Sequence, residues 1–525
     1  MMKRLRAGLP AGAVGLMLMT PGAALAQADA PDPATLLADT CGACHAADAS
    51  GALSRINGQR KTPEGWLMTI VRMRLFHGMV IDPATQATLV HYLADTQGLA
   101  PSEADDFRYI LEREPAVVEQ VEAPLAEMCA RCHSAARIGL QRRTREEWNL
   151  HIDFHVGQWP TLEYQALARD RDWLKIAREE VVPLLAEKYP FKTDAWDAWK
   201  HAAKPEATGG WVFTTRLPEK GEAYGKLEVS GSAQPYAVSG TLKTADGEAL
   251  PISGKLNVYT GYEWRANLTI GDTVYRQVLA ISEDGSALSG RQFLHDEDSL
   301  GGTFKAVKAG GGALIAGTVP STLPAGSKAR VQIVGAGLES ATLSGALEAS
   351  GGTANDYGVA LDVAPADDAD GAVSVAAGEA ALQGALAVYS HIDSLKVEPA
   401  FAVSRVGGGG GSAPAVKARF AAIGFWKGPD GKAGTDDDVR IGAVPATWSV
   451  EPFNEEAEKL EDVKYAGAMN ADLGIFTPSV AGPNPERPFS TNNAGNLKVL
   501  ATSGEVSGEG QLIVTVQRWN DPPIH

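Results

Sequence analysis

The sequence predicts a multidomain protein in which an N-terminal all-α domain is followed by three all-β domains, each an immunoglobulin-like sandwich or an antiparallel barrel. The chain has 525 residues, too many for one hydrophobic core. Residues 27 to about 200 are rich in Ala, Leu, Glu and Arg, with apolar residues at helical spacing. From about residue 205, Gly, Val, Thr and Ser dominate in short alternating runs between turn residues, a pattern typical of strands.

The helical region shows its periodicity most clearly at Trp66, Ile70 and Met73, which share one helix face. Residues 172–188 are similar, and Pro183 either divides that stretch or starts a new turn. In the β region, Gly310–Gly312 and the glycine run 407–411 resemble linkers. We therefore expect β-domains over 205–309, 310–406 and 412–525, of which the middle one is immunoglobulin-like.

The first 26 residues are typical of a secretory signal. A basic start precedes the apolar stretch 11–19, and Ala24-Leu25-Ala26 forms a cleavage site. The mature chain is expected to begin near Gln27 and to be exported to the periplasm. No later segment approaches about 18 uninterrupted apolar residues, so no membrane span is predicted.

The chain carries 64 acidic and 47 basic residues, a formal net charge of -17. Such a surface repels nucleic acid and anionic membranes, so neither is expected as a partner. It suits either a cationic protein partner or solubility alone.

All four cysteines lie in two identical patterns. The segments Cys41-Gly42-Ala43-Cys44-His45 and Cys129-Ala130-Arg131-Cys132-His133 both read C-x-x-C-H, the attachment motif of c-type heme. Structural zinc needs a closed tetrahedral set of ligands, and disulfide pairing does not explain the spacing. The sequence therefore predicts two covalently bound hemes c.

The spacing of the motif follows from the chemistry of attachment. Residues three and four apart share one face of a helical turn, so two thiols can form thioethers while the following imidazole reaches the iron. Cys41, Cys44, Cys129 and Cys132 are thus expected to anchor heme, and His45 and His133 to be the proximal ligands. Residues 27–204 form the predicted diheme cytochrome c domain.

An internal repeat relates the two motifs. Thr62 to Trp66 follows the first C-x-x-C-H, and Thr144 to Trp148 follows the second. Alignment on Thr and Trp without gaps divides the domain into units of about 27–115 and 116–204.

The same alignment places Met73 opposite His155, one candidate for the sixth iron ligand in each unit. Met73, His77 and His91 are candidates for the first heme, and His151 and His155 for the second. We favour Met73 and His155 because one distal position then serves both units.

A further candidate site is the acidic, glycine-rich segment 428–438, whose oxygen atoms could hold calcium. It lacks the EF-hand spacing, and a solvated hairpin is the alternative. No nucleophile elbow, P-loop or dinucleotide fingerprint occurs, so no catalytic residue is assigned.

Several features together resemble one known family. The export signal, the two C-x-x-C-H units, the segments 62–66, 72–78 and 94–101, and the three β-modules are similar to the alpha subunit of quinohemoprotein amine dehydrogenase. The resemblance covers nearly the whole mature chain. It implies one bis-histidine and one His/Met heme.

The resemblance also implies a function and partners. In that family a complex oxidises primary amines to aldehyde and ammonia at a cysteine-tryptophan-derived quinone on a small subunit, alongside a β-propeller subunit. The diheme subunit passes the electrons to a soluble cytochrome c or copper protein. Because all four cysteines here are assigned to heme, the chain has none left for such a quinone, so the amine site belongs to a partner.

Two other functions remain as alternatives. A diheme cytochrome c peroxidase needs one heme with an open position for peroxide, whereas both units here offer a sixth ligand. A non-enzymatic periplasmic cytochrome with β scaffold domains is suggested by the large share of β sequence. Co-purification of other subunits discriminates between the dehydrogenase and the scaffold.

Overall fold

The structure is a computed structural model that describes residues 32–114, 117–160, 162, 170–345, 347–409 and 413–516. The predicted export signal and part of the second glycine run lie outside these residues. Within these ranges, every helix lacks either the length or the apolar character needed to cross a bilayer.

The N-terminal region is helix-rich, as predicted. Its helices are α1 (Pro33–Cys41), α2 (Pro63–His77), α3 (Pro83–Thr96), α4 (Pro101–Ala104), α5 (Arg108–Leu111), α6 (Ala123–Leu125), α7 (Ala136–Gly139), α8 (Arg145–Gln158), α9 (Trp173–Ile176), α10 (Val182–Lys188) and α11 (Asp194–His201). A 3₁₀ turn spans Asp105–Phe107, and π-helical turns span Ala126–Ala130 and Ala177–Val181. Pro183 lies in the first turn of α10, directly after the π-helical turn Ala177–Val181.

Helices α2 and α8 are capped and anchored alike. Thr62 and Thr144 each accept a hydrogen bond from the backbone N–H three residues later, at 3.2 Å in both cases. Trp66 and Trp148 follow four residues after these caps and are buried. Their indole N–H groups donate to the carbonyl just beyond a neighbouring helix, at 3.0 and 3.4 Å. The repeat seen in the sequence is therefore a repeat of structure.

Each unit has its own apolar core. The first core includes Leu37, Trp66, Ile70, Leu89 and Leu93, and the second Leu125, Trp148, Ile152, Trp173 and Val181. The Trp and Ile of the two sets occupy equivalent repeat positions, so the same helix face is buried in both units.

A two-stranded ribbon joins the units, which the prediction of an all-α region missed. Strand β1 (Gln59–Lys61) pairs antiparallel with β2 (Gln141–Arg143), and Arg60 lies opposite Arg142. These two arginines are equivalent in the repeat. The register is therefore symmetric, and an approximate two-fold axis passes through the central pair.

The next domain is a closed eight-stranded barrel. Its strands are β3 (Gly209–Leu217), β4 (Gly221–Ser230), β5 (Tyr236–Thr244), β6 (Ala249–Tyr259), β7 (Glu263–Ile270), β8 (Thr273–Ile281), β9 (Ala287–Leu294) and β10 (Glu297–Lys308). Each strand pairs antiparallel with the next, and β10 closes on β3. Buried rings including Trp211, Phe213, Trp264 and Phe304 belong to its core. Closure leaves no free edge strand.

The third domain consists of two four-stranded sheets over one core. Its strands are β11 (Leu314–Val319), β12 (Thr322–Pro324), β13 (Ala329–Ala336), β14 (Thr342–Ser344), β15 (Leu347–Asn355), β16 (Gly358–Pro365), β17 (Gly371–Ala377) and β18 (Ala380–Tyr389). The sheet orders are β11-β13-β16-β15 and β12-β18-β17-β14. Valines from both sheets, such as Val331 and Val373, fill the space between them.

The last domain contains three small sheets and two short helices. Its elements are β19 (Ser394–Glu398), β20 (Phe401–Arg405), β21 (Ala418–Arg419), β22 (Ala421–Trp426), β23 (Val439–Ala443), β24 (Thr447–Pro452), α12 (Glu455–Lys459), α13 (Asp462–Tyr465), β25 (Gly467–Met469), β26 (Ile475–Pro478), a 3₁₀ turn (Pro488–Ser490), β27 (Gly495–Ser503) and β28 (Val506–Thr515). The sheet orders are β19-β22-β23, β20-β28-β27-β24 and β21-β26-β25.

Two details of the β region depart from the sequence expectation. The pairs β12–β18 and β20–β28 are parallel, although antiparallel sheets were predicted. Gly310–Gly312 forms a short connection rather than a free linker, because an apolar cluster closes the joint between the domains. That cluster includes Val212 and Val307 of the barrel and Val319 and Val334 of the next domain.

The first heme unit is held against the barrel. Arg265 on β7 pairs with Glu64 in the first turn of α2, at 2.6 Å between Nε and Oε1. Thr260 N donates to Asp95 at 2.6 Å. A Cβ at Gly98 would approach the Thr260 side chain within 2.7 Å, so this contact requires glycine. These contacts hold the start of α2 and the end of α3 against the barrel.

Candidate heme sites

The first C-x-x-C-H motif forms one tight turn at the end of α1. Cys41 is the last residue of the helix, and its carbonyl accepts hydrogen bonds from Cys44 N at 3.2 Å and His45 N at 3.0 Å. A continued helical turn places the two thiols and the imidazole on one face.

The second motif begins in the π-helical turn Ala126–Ala130. Cys132 N donates to the Cys129 carbonyl at 3.1 Å, equivalent to the bond in the first motif. Within the described ranges no disulfide links the four cysteines; the first of each pair is half-buried and the second is exposed. Burial raises the pKa of Cys129 to about 12, and the Cys132 thiol adds to the effect. Cys41 shows the same direction of pKa shift with the same causes.

Three candidate iron ligands are oriented by the same hydrogen bond. His45 Nδ1 donates to the Ser54 carbonyl at 2.9 Å, His133 Nδ1 to the Ser134 carbonyl at 2.9 Å, and His155 Nδ1 to the His151 carbonyl at 2.7 Å. A carbonyl can only accept, so each Nδ1 carries the proton. Each Nε2 is left with a lone pair, the form that binds a metal.

His133 and His155 are separated as two axial ligands of one iron would be. Their ring centroids lie 6.5 Å apart, with an angle of 31° between the planes. A metal–nitrogen bond of about 2 Å on each side, plus half of each ring, gives roughly 6 Å between centroids. The second unit therefore fits a bis-histidine heme.

His151 lies beside this pair rather than opposite His133. Its ring is 4.7 Å from that of His155, edge to face, and is stacked on Phe154 at 5.5 Å. Burial lowers the pKa of His151 well below its usual value, and the Arg143 charge lowers it further. The placement favours His155 as the sixth ligand and His151 as a neutral wall of the pocket.

The candidates of the first unit occupy different environments. Met73 is half-buried on α2, and His77 is exposed at the end of that helix. His91 on α3 faces the barrel, where Nδ1 is 2.9 Å from Asp95 and Nε2 is 3.3 Å from Gln234. Both ring nitrogens of His91 are engaged there, which favours Met73 or His77 as the sixth ligand.

Sequence reasoning missed the charged residues at the junction of the units. Glu103 accepts from Arg60 at 2.7 Å and lies 3.2 Å from Arg142, and all three are buried. Lys61 and Arg143 are buried on the other face of the ribbon. A signal was available, because Gln59-Arg60-Lys61-Thr62 and Gln141-Arg142-Arg143-Thr144 extend the repeat by three residues before each cap.

In the acidic segment 428–438, hydrogen bonds within the turn engage the carboxylates. Asp437 accepts from Asp430 N at 3.0 Å, and Asp438 from Gly434 N at 2.8 Å. Over the described ranges, no group of three His, Cys, Asp or Glu side chains is arranged to hold a metal ion. The geometry therefore supports the hairpin interpretation of this segment.

The fold and the sites define a multidomain haem-binding protein. A family model described as quinohemoprotein amine dehydrogenase A, alpha subunit, haem binding, matches residues 32–196. Models for domains II and IV of the same alpha subunit match residues 204–309 and 395–524. The chain belongs to the quinohemoprotein amine dehydrogenase alpha subunit family, and is thus a subunit of an oxidoreductase that has partner subunits.

Comparison with solved structures finds matches that cover part of the chain. A de novo designed fluorescence-activating β-barrel is 18% identical over 19% of this chain and 92% of its own, with a TM-score of 0.17. Domains 5–6 of the S-layer protein SbsC are 10% identical over 39% and 97%, with a TM-score of 0.16. These low scores carry no functional argument. No curated protein matches the chain significantly.

Proposed function

We propose that this chain is the periplasmic electron-transfer subunit of an amine dehydrogenase complex. It passes electrons from a quinone cofactor on a partner subunit, by way of two hemes c, to a soluble cytochrome c or copper protein. The overall reaction is oxidative deamination of primary amines to aldehydes. The observation that carries the proposal is the pair of equivalent units, each with a C-x-x-C-H turn and a distal candidate at the same repeat position.

The residues of this chain hold and orient the hemes. The cysteines of each motif would form the thioether anchors. His45 and Met73 would hold the iron of the first heme, and His133 and His155 that of the second. Bound heme supplies one-electron oxidation and reduction of its iron. The Nδ1–carbonyl bonds keep each imidazole in the tautomer that presents Nε2.

The oxidation of the amine belongs to another subunit. With all four cysteines assigned to heme, none remains to form a cysteine-derived quinone. The partners expected from the family are a small quinone-bearing subunit and a β-propeller subunit.

Purification from native cells tests this function. We expect the chain to co-purify with a small subunit that contains a crosslinked quinone, and its intact mass to equal residues 27–525 plus two hemes. A solitary chain, or a high-spin heme with peroxide turnover, would contradict the proposal.

The periplasmic location has its own test. Cell fractionation should place the heme-containing chain in the periplasm, and deletion of residues 1–26 should leave it in the cytoplasm without covalent heme. Heme attachment in the truncated chain would show that residues 1–26 are not the export signal.

A further inference from the structure

On one face of the ribbon between the units, both buried cations contact the same carboxylate directly. Arg60 donates through both Nη atoms to Glu103, at 2.7 and 2.8 Å, and Arg142 Nε lies 3.2 Å from the same carboxylate. The guanidinium of Arg142 also donates to the carbonyls of Gly139 and Glu103, at 2.6 and 3.0 Å. Both arginines thus have partners suited to a buried cation.

On the opposite face of the ribbon, the buried cations have no carboxylate of the described residues in close contact. Lys61 and Arg143, with 6% and 3% of their surface exposed, point from alternate ribbon positions to this side. Lys61 Nζ donates to Thr69 Oγ1 at 2.7 Å, and within the described ranges no carboxylate lies within ion-pair distance of it. Arg143 donates to the neutral side chain of Gln141 and lies 3.8 Å from Glu147.

Glu147 cannot neutralise this face. It pairs more closely with Arg55, at 3.1 Å, than with Arg143. Lys61 and Arg143 are therefore two buried cations near one carboxylate, and the half-exposed Arg55 lies closer to that carboxylate than Arg143 does. A buried cation without a close anion is unfavourable, so a further anion at this face would stabilise the folded protein.

Lys61 and Arg143 contact the two helices that carry the predicted distal ligands. Thr69, the partner of Lys61, is one helical turn before Met73 on α2. Arg143 stacks on Trp148, whose ring lies 6.2 Å from His151, one turn before His155 on α8. Lys61 and Thr69 are the repeat equivalents of Arg143 and His151, so each unit places one of these cations beside the helix that carries its predicted distal ligand.

We propose that Lys61 and Arg143 form a carboxylate-binding site that receives the propionate groups of the hemes at the junction of the two units. The assignment rests on the proposed occupancy by two hemes c. The propionates supply the missing negative charge, and Arg143 offers the planar fork that suits a carboxylate. Burial and the Arg143 charge lower the pKa of Lys61 well below its usual value, and a carboxylate bound beside it would oppose that shift.

The test follows the propionate carboxyl groups directly. Cells grown on δ-aminolevulinate with a heavy carbon isotope in its carboxyl group produce heme labelled in the propionates. Redox-difference infrared spectra of the purified complex then identify the propionate bands by their isotope shift. The variants are Lys61→Gln and Arg143→Gln, and Lys192→Gln is the matched control, an exposed lysine of the same domain.

We expect the labelled bands to shift in both ribbon variants and to stay unchanged in the control. Unchanged labelled bands in Lys61→Gln and Arg143→Gln, or the same shift in all three variants, would overturn the proposal. If a glutamine variant does not accumulate, Lys61→Arg and Arg143→Lys keep the charge but alter its position, and the bands are again expected to shift.

The heme-to-polypeptide ratio separates this inference from the proposed function. It is measured first, on the same preparations. A ratio of two with unaltered propionate bands would refute the carboxylate site and leave the diheme assignment in place. A ratio below two in the unsubstituted protein would refute the diheme assignment itself.

Discussion

Glu103 is the side chain on which the two heme units converge. It accepts hydrogen bonds from Arg60, from Ala100 N at 2.9 Å and from Thr193 Oγ1 at 2.9 Å, and it pairs with Arg142. Both arginines are buried with it. Removal of this one carboxylate therefore leaves two guanidinium groups buried without their anion.

Substitution of Glu103 should destabilise the heme domain strongly. We expect Glu103→Gln to lower the free energy of unfolding by about 3–5 kcal/mol, the range for removal of one partner of a buried ion pair. Heme absorbance during denaturant unfolding measures it. The exposed pair of Glu122 and Lys188 is the control, and Glu122→Gln should cost less than about 1 kcal/mol. Equal losses in the two variants would contradict this role for Glu103.

The same carboxylate should make the domain sensitive to acid. Burial alone raises the pKa of Glu103, but the hydrogen bonds and charge of Arg60 outweigh it, and the pKa lies below its ordinary value of 4.5. Its stabilising contribution is present above the unfolded-state pKa and is lost as the pH falls through the folded-state pKa. The denaturant concentration at the unfolding midpoint should decrease as the pH is lowered below about 4.5, and this decrease should be smaller in Glu103→Gln. Parallel profiles for the two proteins would contradict this.

Met73 can be tested by its spectroscopic signature. If it binds iron, Met73→Ala should abolish the far-red charge-transfer band from methionine sulfur to ferric iron. Met68→Ala is a matched control, because Met68 is also half-buried on α2. Persistence of the band in Met73→Ala would make Met73 a packing residue and move the sixth ligand elsewhere.

At the scale of single elements, α2 and α8 are the helices whose first residues could be predicted from the sequence. Their beginnings are predictable because a threonine cap follows each heme motif and a tryptophan follows each cap by four residues. The ribbon of β1 and β2 could not be predicted, because three polar residues per strand give no alternation of apolar and polar residues. Barrel closure and the two parallel pairs also escape prediction, since both depend on partners distant in the chain.

For the candidate heme sites, the sequence motifs identify the ligand residues but do not predict how their side chains are oriented. The motif and the repeat select His133 and His155 without information on where their rings lie. The Nδ1–carbonyl bonds are local to the motif turn and to α8, whereas the 6.5 Å ring separation arises from the packing of α8 against the second motif. Lys61 and Arg143 were missed because buried charge cannot be read from a basic tripeptide, which is more often exposed.

The threonine caps of α2 and α8 should contribute equally to the stability of the heme domain. We expect Thr62→Ala and Thr144→Ala each to cost about 1 kcal/mol of stability, since each removes the same bond to a backbone N–H. Thr62→Ser and Thr144→Ser keep the hydroxyl and should retain most of it. Denaturant unfolding followed by heme absorbance measures all four. A loss in the serine variants as large as in the alanine variants would show that the methyl group, not the cap, matters.

On the scale of the whole molecule, the asymmetry between the two units predicts an order of potentials. A methionine ligand stabilises ferrous iron relative to a second imidazole, so the His45/Met73 heme should have the higher reduction potential. Electrons from a partner would then pass from the His133/His155 heme to the His45/Met73 heme and on to the acceptor.

A redox titration that resolves the two hemes tests this order. Met73→His should lower the potential of the higher-potential heme and leave the other nearly unchanged. His91→Gln, a change at the barrel contact, serves as a control in the same unit. A lowered potential at the heme that was already more negative would reverse the order.

The register of the ribbon has a consequence for assembly. Since Arg60 lies opposite its own equivalent, Arg142, the edge of one unit is complementary to a copy of itself. Such an isologous contact is the kind that joins identical subunits in a homodimer. The heme domain has the geometry of two subunits fused into one chain. Fusion frees each half to change separately, as the differing residues Met73 and His155 at equivalent positions illustrate.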